Sequence, residues 1–171
     1  DATSYTLTFE ADRDLKAIQL EAILDDGLPS KGPGRAEDGT AVLSEIEVHR
    51  TPQGSDESES LTLTTALADF THPKLEFRPT QAIDGDQTTG WSTGSYIDRV
   101  NRVAVFTLAD DTLIKKGDSV SITLHHTTGL KQYSLGKFRI TQSDSNAIAD
   151  WSKPTFSTWS HVGPLAGDSK A

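Results

Sequence analysis

Val120-Ser121-Ile122-Thr123-Leu124 alternates apolar and hydroxylated side chains. Successive side chains of a strand point to opposite faces, so this period buries Val120, Ile122 and Leu124 and turns Ser121 and Thr123 toward water. The same alternation recurs outward along the chain. Tyr5, Leu7 and Phe9 alternate with Thr6 and Thr8, and Ile18 and Leu20 flank Gln19. Val42, Ser44, Ile46 and Val48 alternate with Leu43, Glu45 and Glu47, while Phe138 and Ile140 flank Arg139. Leu61 to Ala66 and Val103 to Leu108 read as two more strands. Between these runs lie turn signals: Asp26-Gly27, Lys31-Gly32-Pro33-Gly34, Asp38-Gly39, Asp84-Gly85, Lys116-Gly117-Asp118 and Thr128-Gly129. No helical stripe exceeds about three turns. The expected fold is all-β: a two-sheet antiparallel sandwich or jelly roll of roughly eight strands.

A chain of 171 residues suits one domain with its own core. With 16 Lys and Arg against 25 Asp and Glu, the net charge is −9. An acidic surface argues against nucleic acid or an anionic membrane as main partner, since each needs clustered positive charge. The absence of cysteine excludes disulfides and thiolate chemistry. No apolar run approaches the ~20 residues of a spanning helix. The chain starts at Asp1 and has no methionine, which reads as a processed or excised piece of a larger protein, any signal peptide being already removed.

Thr51 to Ser60 is polar and acidic, an expected exposed loop. From Ser143 the character changes, with Trp151, Phe156 and Trp159 alongside Pro154 and Pro164. The chain therefore divides into a sandwich over 1–142 and an extension over 143–171, which packs back or leads to a following module.

Ala82-Ile83-Asp84-Gly85-Asp86-Gln87-Thr88-Thr89-Gly90-Trp91-Ser92 carries the chemistry. Two carboxylates and hydroxyls on a glycine turn suit a loop around a hard cation such as calcium, with Asp84, Asp86 and Thr89 as ligands. The competing reading is an Asp-Gly turn with side-chain bonds to its own backbone. An EF-hand does not fit, because its sixth and twelfth positions would be Thr89 and Ser95 rather than Gly and Glu.

The stretch matches the A-x-D-G-x-x-x-T-x-W pattern of galactose-binding-like (discoidin-type) jelly-roll modules. Together with Ile18 to Ala22, Gly32 to Ala36, Leu43 to Val48, Ala68-Asp69-Phe70 and Leu135 to Thr141, it resembles a module of large secreted planctomycete proteins that also carry cytochrome-c-like domains. Thr158 to Pro164 is similar to the start of a following module in them. The resemblance implies a galactose-binding-like sandwich that binds carbohydrate outside the cytoplasm, in the periplasm or at the cell surface. It also implies a structural calcium. Where such modules often place a glutamate near the last strand, this chain has Lys137 and Arg139, leaving Glu45 and Glu47 as substitutes.

Trp91 offers a sugar-stacking platform, against the competing reading of a core anchor for the loop. Tyr96, Tyr133, Trp151 and Trp159 are alternative platforms. Arg35, Arg99, His126, Lys131, Lys137 and Arg139, with His125 and Arg102 beside them, are candidates for bonding sugar hydroxyls, uronate or sulfate. The competing reading is a solvated strand face. His125 and His126 point to opposite faces of a strand, which rejects a shared zinc. Gly90-Trp91-Ser92-Thr93-Gly94 matches the hydrolase G-x-S-x-G pattern but lies in an all-β context rather than on a strand-to-helix turn. The expectation is a monomeric, non-catalytic module recognising a polysaccharide, acidic or sulfated if Lys137 and Arg139 line its groove. It would sit beside neighbouring domains of a larger chain. The alternative is a structural spacer with no glycan ligand.

Overall fold

The computed structural model describes residues 2–109, 112–145, 160–162 and 169–170. Trp151, Phe156 and Trp159 lie outside the described residues.

The strands are β1 (Thr3–Glu10), β2 (Ala17–Ala22), β3 (Val42–Leu43), β4 (Glu45–Thr51), β5 (Glu59–Leu61), β6 (Leu63–Ala68), β7 (Trp91–Ser92), β8 (Arg102–Leu108), β9 (Ser119–His126), β10 (Phe138–Ser143), β11 (Ser160–Val162) and β12 (Ser169–Lys170). Among the described residues there is no α-helix, only short 3-10 turns such as Leu75–Phe77 and Pro79–Ile83. One antiparallel sheet runs β12-β1-β9-β4-β5 and a second β11-β10-β2-β8-β6, with a small β3-β7 ladder beside them. The two edge strands β11 and β12 add to opposite sheets, on β10 and β1.

Alternation explains the pairing. Along β9, Val120, Ile122 and Leu124 are buried while Ser121 and Thr123 face outward, opposite Thr8 and Thr6 of β1. Their buried side chains meet Ile18 and Leu20 of β2, Phe106 of β8 and Ile140 of β10 in one core cluster between the sheets. Each fully buried side chain of this size contributes about 1.5–3 kcal/mol.

Two expected strands are broken. The run 42–48 divides at Ser44: Val42 and Leu43 pair with β7, whereas Glu45 onward pairs with β9. The run 61–66 divides at Thr62, with β5 joining one sheet and β6 the other. Alternation alone carries no mark of a change of partner, because both halves keep one face in the core.

These pairings gather three long connections at one end. Thr3 pairs with His126 and Glu45 with His125 in one sheet, and Ala22 with both Arg102 and Phe138 in the other. The loops 23–41, 69–101 and 127–137 therefore meet there. Backbone bonds tie them: Arg35 N to Ser134 O, Val42 N to Tyr133 O, Thr93 N to Ala41 O and Gly90 N to Glu76 O.

Candidate functional site

The loop 94–101 is clamped before it carries anything. Gly94 has φ +61, and a Cβ there would lie 2.4 Å from the Phe70 ring, so only glycine allows this approach. Arg102, itself buried, stacks 4.6 Å over that ring, bonds Thr93 O at 3.1 Å and pairs with Asp98 and Asp69. Between these anchors Tyr96 stands 53% exposed, the exposed aromatic among the described residues.

Its hydroxyl is fixed by His72, whose Nε2 lies 2.6 Å away. The other ring nitrogen, Nδ1, accepts the Lys74 N–H at 3.1 Å. An accepting Nδ1 carries no proton, so Nε2–H is the donor toward Tyr96. The phenol's own O–H is then left to point outward. Tyr133 lies within electrostatic range: burial raises its phenol, and Asp38 and Tyr96 add to the rise. Leu75, Ile97 and Val100 are exposed on the same loops. Arg35 is tied by its backbone beside Tyr133, and Lys131 precedes Tyr133 by two residues.

The Asp84 loop forms a second cluster. Asp84 Oδ1 accepts the Asp86 N–H at 2.9 Å, and Thr89 Oγ1 sits 3.1 Å from Asp84 Oδ2 and 3.0 Å from Asp86 O. Glu45 reaches the same turn from β4: its Oε1 accepts the Gly85 N–H at 2.8 Å with only 6% of the residue exposed. Burial first, then a shared hydrogen bond and like charge from Asp84, push the Glu45 carboxyl up to about 7, against the Gly85 N–H. Two facing carboxyls in such a setting want either a proton or a cation. The Asp86 carboxylate instead accepts from Thr88 Oγ1 at 2.7 Å and from the Thr88 N–H at 2.9 Å, which hold its pKa below the usual carboxylate range. Among the described residues no three acidic or imidazole side chains converge on a metal position. A cation here would draw on Asp84, Glu45 and the Thr89 hydroxyl, and complete its shell with backbone oxygens and water. An open groove of about 260 Å³ adjoins this turn, lined by Glu45, Glu47, Ser60, Leu61 and Gln87 among others.

Other candidates are placed elsewhere. Trp91 is 1% exposed, with its indole N–H donating to Phe70 O at 3.3 Å, so it anchors the loop from inside and offers no open face. His126 is buried, its Nδ1 2.6 Å from Val42 O, and burial pushes it down to about 4 despite that carbonyl. Lys137 pairs with Asp25 at 2.8 Å and Arg139 with Glu21, so both are neutralised within the fold. His125 turns to the opposite side from His126, where Ser4 Oγ lies 2.9 Å from its Nδ1. Ser92 is buried and its Oγ accepts the Gly94 N–H at 3.2 Å, with no imidazole bonded to it among the described residues.

Of the expected positions, then, Arg35, Tyr96, Arg99, Lys131 and Tyr133 lie on the connected loops at one end, and Asp84 and Thr89 share a second cluster. His72, Lys74 and Asp38 enter the first cluster with no spacing signal to announce them. Set against protein-family models, curated proteins and solved structures, the chain matches none.

Proposed function

We propose that this chain is a non-catalytic carbohydrate-binding module of the galactose-binding-like jelly-roll kind, recognising a polysaccharide as part of a larger extracellular protein. The observation that carries the reading is Tyr96. It is an exposed aromatic face held in place from behind by His72, with a free phenolic donor and polar side chains around it. A pyranose presents a C–H face that stacks on such a ring and hydroxyls that accept from the phenol. Because the loop is pre-clamped by Arg102 and Phe70, little ordering cost falls on binding. Calcium would neutralise the Glu45–Asp84 pair and brace the turn that leads into β7, with no chemical step of its own.

The spacer reading draws on Leu75, Ile97 and Val100, whose exposed side chains suit cover by a neighbouring domain. Affinity electrophoresis through a panel of polysaccharides separates the two. The expected result is retardation that Tyr96→Ala weakens by about tenfold, one stacking contact being worth roughly 1.5 kcal/mol. Retardation by no polymer, with the protein folded, would move the assignment to the spacer.

A further inference from the structure

We propose that the tyrosine surface selects an anionic polysaccharide, one bearing sulfate ester or carboxylate groups, through Arg35, Lys74, Arg99 and Lys131. The inference rests on the carbohydrate reading above and names the ligand class of the same surface.

Acidic residues outnumber basic ones in this chain by 25 to 16, so carboxylate partners are plentiful. Several other cations use them, Lys31 and Lys137 on these same loops included, although Lys16, Lys115 and Lys116 at the far end make no ion pair among the described residues. Lys31 pairs with Asp26, Arg50 with Asp118, Lys137 with Asp25 and Arg139 with Glu21. Arg35, Lys74, Arg99 and Lys131 make no ion pair among the described residues. All belong to the loops that meet at Tyr96 and Tyr133. The Lys74 N–H bonds the His72 ring that holds Tyr96, and Arg99 follows Tyr96 by three residues. Arg35 is bonded to Ser134 next to Tyr133.

Arginine suits anion recognition because its planar fork bonds sulfate or carboxylate through two parallel N–H groups. Glu37, Asp38 and Glu76 lie in the same loops, so recognition works through discrete contacts rather than a broad positive field. The groove beside Asp84 has the opposite character, since Glu45 and Glu47 line it.

The test is affinity electrophoresis of the whole chain through gels holding a neutral glucan, a polyuronate or a sulfated galactan, each compared with a polymer-free gel. The expected result is retardation by an anionic polymer, about tenfold weaker in Arg99→Gln and in Arg35→Gln, each losing a charge-assisted contact. Lys131→Gln serves as a further variant should either fail to fold. Lys115→Gln, at the opposite end of the sandwich, is the charge control and leaves retardation unchanged. Retardation by the neutral glucan alone would overturn the anionic assignment and leave the carbohydrate reading standing. Anionic retardation unaltered in folded Arg35→Gln and Arg99→Gln would overturn the residue assignment. Binding to phosphatidylserine vesicles without retardation by any polymer would overturn both, and assign the exposed Leu75 and Ile97 to a lipid surface.

Discussion

Replacing Glu45 by glutamine keeps an oxygen for the Gly85 N–H and removes the charge that faces Asp84. In the folded protein this carboxyl titrates at about 7 rather than at its ordinary 4.5. A tenfold change in proton affinity is worth about 1.4 kcal/mol, so the full effect is roughly 3 kcal/mol. Its sign follows from linkage. Between those two pH values the folded state holds a proton that the unfolded state has released. Stability therefore falls as pH rises through the window, with no penalty below 4.5 and the full penalty above about 7. His126 works the other way. Burial pushes it from 6.5 down to about 4, so the unfolded state binds the extra proton and stability is lost as pH falls through that range. Where the windows overlap the two nearly cancel, and the wild-type slope alone says little. The informative quantity is the difference between Glu45→Gln and wild type, measured by urea unfolding with far-UV circular dichroism in chelator. It is expected to be about 3 kcal/mol in favour of the variant at pH 8 and to shrink to near zero at pH 4.5. A difference that stays constant across pH would refute the argument, because Glu45 would then ionise as freely folded as unfolded. Repeating the series in excess calcium is expected to raise the wild type more than the variant.

Other outcomes follow from packing. Trp91→Ala removes a core side chain and is expected to cost 3–5 kcal/mol by the general scale of such cavities, roughly read from urea midpoints. The milder Trp91→Phe is expected to keep polysaccharide retardation, since the indole is inside. Gly90→Ala would place a Cβ 2.3 Å from Leu43 O, and a loss of about 3 kcal/mol is expected in thermal unfolding from the forced backbone shift. An unchanged melting temperature would mean that the β3–β7 crossing is looser than described. Asp118 accepts the Lys115 and Gln53 N–H groups and pairs with Arg50 at 2.7 Å while buried. Asp118→Ala is expected to cost about 3–5 kcal/mol by stranding the guanidinium, with retardation intact because it caps the far end.

The strands were legible because one sheet face is dry and the other wet. Val120, Ile122 and Leu124, or Tyr5, Leu7 and Phe9, write that contrast directly into the sequence. The breaks at Ser44 and Thr62 were not legible, since a strand that changes partner keeps its apolar face inward on both sides. The Asp84 turn showed its composition in advance, and the suggestion that Glu45 or Glu47 joins it came from an acid-rich run without a spacing rule. Only β4's approach decides between them, by setting Glu45 on Gly85.

The tyrosine surface divides in the same way. Aromatic identity marked Trp91, Tyr96 and Tyr133 equally, but exposure is a property of the packed loops: Trp91 goes inside and Tyr96 stays out. Charge likewise marked Lys137 and Arg139 as strongly as Arg35 and Arg99. Register places Arg139 opposite Glu21 across β10 and β2, and so neutralises it, while Arg35 and Arg99 meet no carboxylate partner among the described residues. The sequence by itself determined the all-β class, the turns and the chemical types available, because side-chain period and turn preference act over a few neighbouring residues. Which carboxyls face each other, which aromatic meets water and which cations stay unpaired depend on contacts between residues far apart in the chain, and only the tertiary structure decided them.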